Sequence, residues 1–98
     1  MTKELKEKLI KIANYYKYEN QKEQTIEEMA ELMVALNKFR RYGNIQRQNR
    51  LNAIITELAD VYIMIMQLSY LLDVEKEVEK EIEYKINREV KRIEKNKE

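Results

Sequence analysis

The chain has no histidine, no cysteine and no proline, and its single glycine is Gly43. Without cysteine there are no disulfides, no thiolate nucleophile and no Cys-based zinc site. Without histidine the usual acid/base group of neutral pH is missing, as is the favoured ligand of zinc, copper and many iron centres. Any bound metal must therefore be held by oxygen, which points to a hard cation, Mg²⁺ or alternatively Mn²⁺. Charge of one sign is lacking too. The 19 Lys and Arg residues stand against 18 Asp and Glu, a net charge of +1, so no global field calls for nucleic acid or an anionic membrane. The most apolar run, Val61 to Met66, is too short to span a bilayer. The opening MTKELKEKLIK is charged throughout, unlike a signal peptide. The expected compartment is the cytoplasm.

What remains is a chain of 98 residues, 38% charged and 44% hydrophobic. That is too apolar for disorder and suits one all-α domain over residues 1–98. A chain this short buries little core alone, so oligomerisation is expected to complete it. Leu5, Leu9, Ile12, Ala13 and Tyr16 follow helical spacing and predict a first helix over about Thr2 to Tyr18. Asn20 with Glu23, or Thr25 with Glu28, form candidate capping boxes for a second helix. Its inner side is read as Ile26, Met29, Ala30, Met33, Leu36 and Phe39. Gly43 suits a left-handed helix end and Asn44 the next N-cap. A third helix is expected from about Ile45 to Leu72, and its second half, VYIMIMQLSYLL, is apolar on nearly every face, as for a helix covered by a partner subunit. Asp73 is a candidate cap for a fourth helix, in which Val74, Val78, Ile82, Ile86 and Val90 are spaced by four. A single rod joining the third and fourth helices is the alternative. The final KNKE is expected to fray.

Two acidic patterns stand out, Glu27-Glu28-x-x-Glu31 and Glu57-x-x-Asp60. In each, two acids three residues apart share one helix face beside apolar residues. Ionised carboxylates next to a core are costly unless paired or metal-bound. Helices two and three should pack antiparallel around the short break at Gly43. Glu28 and Glu31 lie 15 and 12 residues before Gly43, and Glu57 and Asp60 lie 14 and 17 after it. The pairs should therefore meet at similar height, and their four charges match two divalent cations. Magnesium held by carboxylates binds phosphate oxygens, and two such ions can activate a water for attack on phosphorus. Glu27 lies ~100° round the helix from Glu28, where it would hold or deprotonate a water, or simply be solvated. Lys38, Lys85 and Arg88 are candidates for phosphate charge. Read alone, each acidic pair is more simply an ordinary solvated helix face; it is the two pairs at matching height, each embedded in an apolar stripe, that bring a metal site into balance with that reading.

The spacing EExxE, 25 residues, then ExxD, with EEMAELMVALNK and ELADVYIMIMQL around it, resembles the signature of MazG-like nucleotide pyrophosphohydrolases. The resemblance covers about Tyr15 to Leu72, and Lys85 to Asn87 loosely. It implies a four-helix bundle completed as a homodimer or homotetramer. It further implies Mg²⁺-dependent hydrolysis of a nucleoside triphosphate, a deoxynucleotide by analogy, to the monophosphate and pyrophosphate. By position, Glu28, Glu31, Glu57 and Asp60 would be metal ligands, with Glu27 and Glu28 the catalytic carboxylates. Lys38, Lys85 and Asn87 would contact nucleotide or phosphate. Gln21 and an aromatic, Tyr18, would line the base pocket, with Tyr16 in the core. The related phosphoribosyl-ATP pyrophosphohydrolases usually carry a histidine after the second motif, which this chain lacks.

The rival reading is a non-catalytic helical oligomerisation or adaptor protein, in which the acids are solvated. A di-iron bundle is disfavoured because its Glu-x-x-His element cannot exist here. The arginines Arg40, Arg41, Arg47 and Arg50 around the second break are read as surface rather than a nucleic-acid site.

Overall fold

The computed structural model describes residues 1–42 and 44–97, and contains three helices and no strand among them. These are α1 (Lys3–Tyr42), α2 (Arg47–Leu71) and α3 (Glu75–Asn96). The all-α class is as expected, while the count is three rather than four, because the first two expected helices are two limbs of α1. The side-chain oxygen of Thr2 starts α1 by accepting the Leu5 N–H at 3.1 Å, an N-cap bond. The limbs meet at Lys17, whose φ of 70° and ψ of 170° are non-helical.

Lys17 turns the chain sharply. Leu9 and Gln21 would stand ~18 Å apart on a straight helix. Instead both reach the Gln67 side chain, which donates to the Leu9 carbonyl at 3.1 Å and accepts from the Gln21 amide. The first limb thus folds back across the C-terminal half of α2, where the Tyr70 hydroxyl donates to the Asn14 side chain at 3.1 Å. Neither expected capping box forms. The Asn20 side chain donates to the Tyr16 carbonyl, and Thr25 is buried and donates to the Gln21 carbonyl.

The second limb of α1 runs antiparallel to α2. Its inner face is Gln21, Thr25, Glu28, Leu32, Ala35 and Phe39, all buried or half-buried, at the alternating four-and-three spacing of a helix–helix seam. The facing stripe on α2 is Leu51, Ile54, Glu57, Val61, Met64, Leu68 and Leu71. This corrects the expected inner side. Ile26, Met29, Met33 and Leu36 lie exposed, as do Ile55, Leu58, Tyr62 and Ile65 on α2. The stripe turned inward is the one that carries acids and amides, and the more apolar stripe is left outside.

The expected break near residue 43 is present, with Gly43 itself outside the described residues. Asn44 does not cap α2. The cap position is Gln46, in the left-handed region without a side-chain bond, and Arg50 Nε donates to the Ile45 carbonyl at 2.9 Å. At its other end α2 stops, so the single-rod alternative does not hold. Asp73 has φ 57°, its N–H bonds the Tyr70 carbonyl at 3.0 Å, and the Val74 N–H bonds the Ser69 carbonyl at 2.9 Å. This pair of bonds is a Schellman ending. Asp73 therefore closes α2 with its backbone, and its side chain does not cap α3, which starts after Val74. Beyond its junction with α2, α3 leaves the bundle, and none of its residues is buried. It stays helical to Asn96, well into the segment expected to fray.

Candidate metal centre

The seam brings the acidic pairs together because its register opposes Gln21 to Gln67, Glu28 to Asp60 and Glu31 to Glu57. One carboxylate oxygen each from Glu28, Glu31 and Glu57 lie within 4.8 Å of one another. Asp60, one turn along α2 from Glu57, stands outside that triple but lies close enough to Glu28 to feel its charge. Glu28, Glu57 and Asp60 are half-buried and Glu31 is exposed. The Gln24 amide donates to Glu28 Oε1 at 2.7 Å. Glu28 Oε2 and Glu57 Oε2 are shielded from solvent and have no hydrogen-bond partner.

Electrostatics follows the crowding. The Glu31 carboxyl is raised above its ordinary value, first by the charge of Glu28 and then by burial and Glu57. Burial comes first for Glu57, followed by the charges of Glu28 and Asp60. Burial also comes first in raising Asp60, followed by Glu28. No cationic side chain forms an ion pair with any of the four among the described residues. Shielded oxygens without partners, an all-oxygen donor set and mutual repulsion are the properties a divalent hard cation satisfies.

Two clefts flank the acids. One, of about 390 Å³, is lined by Glu27, Glu31, Glu57 and Lys38 over a floor of small side chains, Ala30, Ala35 and Ala53. Lys38 thus lines the same cleft as Glu31 and Glu57 without pairing with either. The other, of about 540 Å³, is lined by Tyr16, Asn20, Gln21, Glu23, Gln24 and Glu27. Glu27 stands on the rim common to both. Tyr16, expected in the core, is half exposed and shares this second cleft with Gln21. Tyr18 does not line it and lies instead beneath the Lys22 ammonium, 5.8 Å from its ring centre. Gln21 is largely committed to its buried bond with Gln67. Lys85 and Asn87 are exposed on α3, which does not pack on α1, so a single chain does not bring them to the acids.

Sequence reasoning missed Gln24 and Gln67. Gln67 is the most deeply buried large side chain, 1% exposed. The signal was there: a lone amide within the run VYIMIMQLSYLL must find partners once buried.

Compared with known proteins, the chain matches no family model, no curated protein and no solved structure.

Proposed function

We propose that this chain is a magnesium-dependent hydrolase that cleaves a nucleoside triphosphate to the monophosphate and pyrophosphate, working as a homo-oligomer. The observation that carries this reading is the convergence of Glu28, Glu31 and Glu57, with Asp60 beside them, on a helix seam where two oxygens lack partners. Uncompensated carboxylates in such a place cost stability, so the arrangement makes sense as a cation site. The MazG-like spacing of the same residues supports the substrate class.

Glu28, Glu31, Glu57 and Asp60 would hold the ion. Bound magnesium would supply charge neutralisation at phosphate oxygens and a water activated for attack on phosphorus. Glu27, on the rim of the cleft, would orient that water or take its proton. Lys38, lining the same cleft, would offset phosphate charge. Tyr16, which lines the neighbouring cleft, would face the base in place of Gln21 and Tyr18. Lys85 and Asn87 would have to come from α3 of a neighbouring copy.

The second reading, a helical adaptor, draws on the apolar stripes left outside. Magnesium separates the two. Millimolar Mg²⁺ is expected to raise the melting temperature, and Glu57→Gln or Asp60→Asn to abolish that response. Pyrophosphate release should appear in a screen of canonical and modified triphosphates with Mg²⁺ or Mn²⁺. An unchanged melting temperature in the wild type would leave the adaptor, and orthophosphate release would contradict attack at the α-phosphorus. A bilayer could also cover α2, which by length and composition alone is long and apolar enough to cross one. Against this, the charged second limb of α1 packs along α2 and would have to enter with it, at the cost of burying its charges in hydrocarbon.

A further inference from the structure

We infer that Gln24 is a positioning residue of the candidate metal centre: its side-chain amide holds one carboxylate oxygen of Glu28 and so directs the other to the ion. The role rests on the magnesium site proposed above and adds to it a residue that is not itself a ligand. Gln24 lies four residues before Glu28 on the second limb of α1, so both share one helix face. The Gln24 amide nitrogen donates to Glu28 Oε1 at 2.7 Å. Glu28 Oε2 is shielded from solvent and has no hydrogen-bond partner. A carboxylate is planar, so fixing one oxygen fixes the direction of the other.

Glu28 is the acid whose direction matters most. It belongs to the triple whose oxygens lie within 4.8 Å of one another, and its charge is felt by Glu31, Glu57 and Asp60 alike. Among the described residues, Gln24 is the only amide bonded to any of the four acids, and no cation is. The chemistry of that partner suits a cation site. A lysine or arginine in its place would cancel the charge that attracts the ion. A neutral amide orients the carboxylate and leaves its charge intact. It also restricts a long, flexible side chain before the ion arrives, so less ordering remains for binding to impose. The sense of the bond is fixed by chemistry, since an ionised carboxylate only accepts and the amide nitrogen must face it. A similar bond joins Gln48 to Asn52 at 2.9 Å. That pair lies on α2, and Gln48 is ~13 Å along the helix from Glu57, so it supports the helix alone and supplies a control.

In the full-length protein, Mg²⁺ affinity is read from the rise in melting temperature across a Mg²⁺ titration. Gln24 is exposed, and Gln24→Met keeps its length and helix propensity while removing the donor. This variant is expected to melt close to the wild type in chelator and to bind Mg²⁺ roughly tenfold more weakly, the lower end of what losing a partner of a metal ligand does. Gln24→Lys sets an ammonium beside Glu28. It is expected to melt above the wild type in chelator, because it relieves the repulsion, and to bind Mg²⁺ more weakly still, because it competes with the ion. A residue that only supported the helix would not move those two readings in opposite directions. Gln48→Met is expected to keep the wild-type affinity. Equal affinity in the wild type and Gln24→Met would overturn the proposal and leave the magnesium site standing, as would an equal loss in Gln48→Met. A wild type with no response to Mg²⁺ would overturn both.

Discussion

At the scale of single residues, the acidic cluster works against the fold that contains it. A carboxyl whose folded pKa is raised holds its proton more readily in the native chain than in the unfolded one. Its contribution to stability is fully present below the unfolded value and is lost as pH rises through the folded one. The ordinary values are 4.5 for Glu31 and Glu57 and 3.8 for Asp60, and all three are raised. In chelator, the wild type is therefore expected to lose stability relative to Glu57→Gln as pH climbs from about 4 toward neutrality. The melting-temperature gap should favour the variant at the upper end, and added Mg²⁺ should reverse the order. A gap independent of pH would mean that these carboxylates do not repel one another. Gln67 makes the opposite case. Its amide satisfies the Leu9 carbonyl and Gln21 together, so Gln67→Leu strands two buried polar groups. The expected cost is about 2–6 kcal/mol by urea denaturation, at ~1–3 kcal/mol for each group left unpaired. A loss below ~0.5 kcal/mol, the range of ordinary surface substitutions, would show that solvent reaches the site.

At the scale of elements, the informative position is Lys17. Its backbone occupies a region that residues other than glycine pay ~1–3 kcal/mol to enter. Lys17→Gly removes that strain but makes the unfolded chain more flexible. The net expected effect is a stabilisation of up to about 1 kcal/mol, read as a higher midpoint in urea. Lys17→Val, β-branched, should destabilise clearly. A Gly variant less stable than the wild type would mean that the sharp turn is not present in solution. The turn also shows where the sequence was legible. Helical periodicity identified every helical stretch and the breaks near residues 18, 43 and 73. It could not show that the first break is a single-residue kink at Lys17, because neither glycine nor a used cap marks that position. Nor could it tell Asp73 as a side-chain cap from Asp73 as a left-handed helix end, since aspartate suits both.

The site was legible for a related reason. Counting outward from Gly43 on an antiparallel hairpin fixes which acids share a level, and Glu28, Glu31 and Glu57 do converge, with Asp60 beside them. Which face of the second limb turns inward was not legible. Hydropathy favours Ile26, Met29 and Met33, but the face bearing Gln21, Thr25, Glu28 and Ala35 packs on α2. Periodicity gives two candidate stripes and takes the greasier one as core. That choice fails when a chain keeps its greasiest surface for another molecule.

At the scale of the whole molecule, that surface sets the last expectation. The chain exposes 8338 Å², whereas a compact monomer of its 12.0 kDa should expose about 6,000 Å². Its radius of gyration is 16.9 Å, against ~13 Å for a compact domain of this length. The excess surpasses the ~800 Å² that each partner buries in a standard interface. Ile26, Met29, Met33 and Leu36 on α1 lie beside Ile55, Leu58, Tyr62 and Ile65 on α2 at matching heights of one hairpin, both stripes with the three-and-four spacing that packs helices. Two such hairpins face to face would bury all eight positions on each side. Met33 is 60% exposed and Tyr62 66%, so charging them leaves the intrachain seam untouched. The double variant Met33→Lys, Tyr62→Lys is therefore expected to lower the mass measured by light scattering after gel filtration. Its melting temperature should fall as well, because assembly contributes to the stability of a chain with so small a core of its own. The wild-type melting temperature should rise with protein concentration, and that of the variant should not. A wild type that is monomeric at every concentration, with a melting temperature equal to the variant's, would leave the apolar stripes without a partner of their own kind.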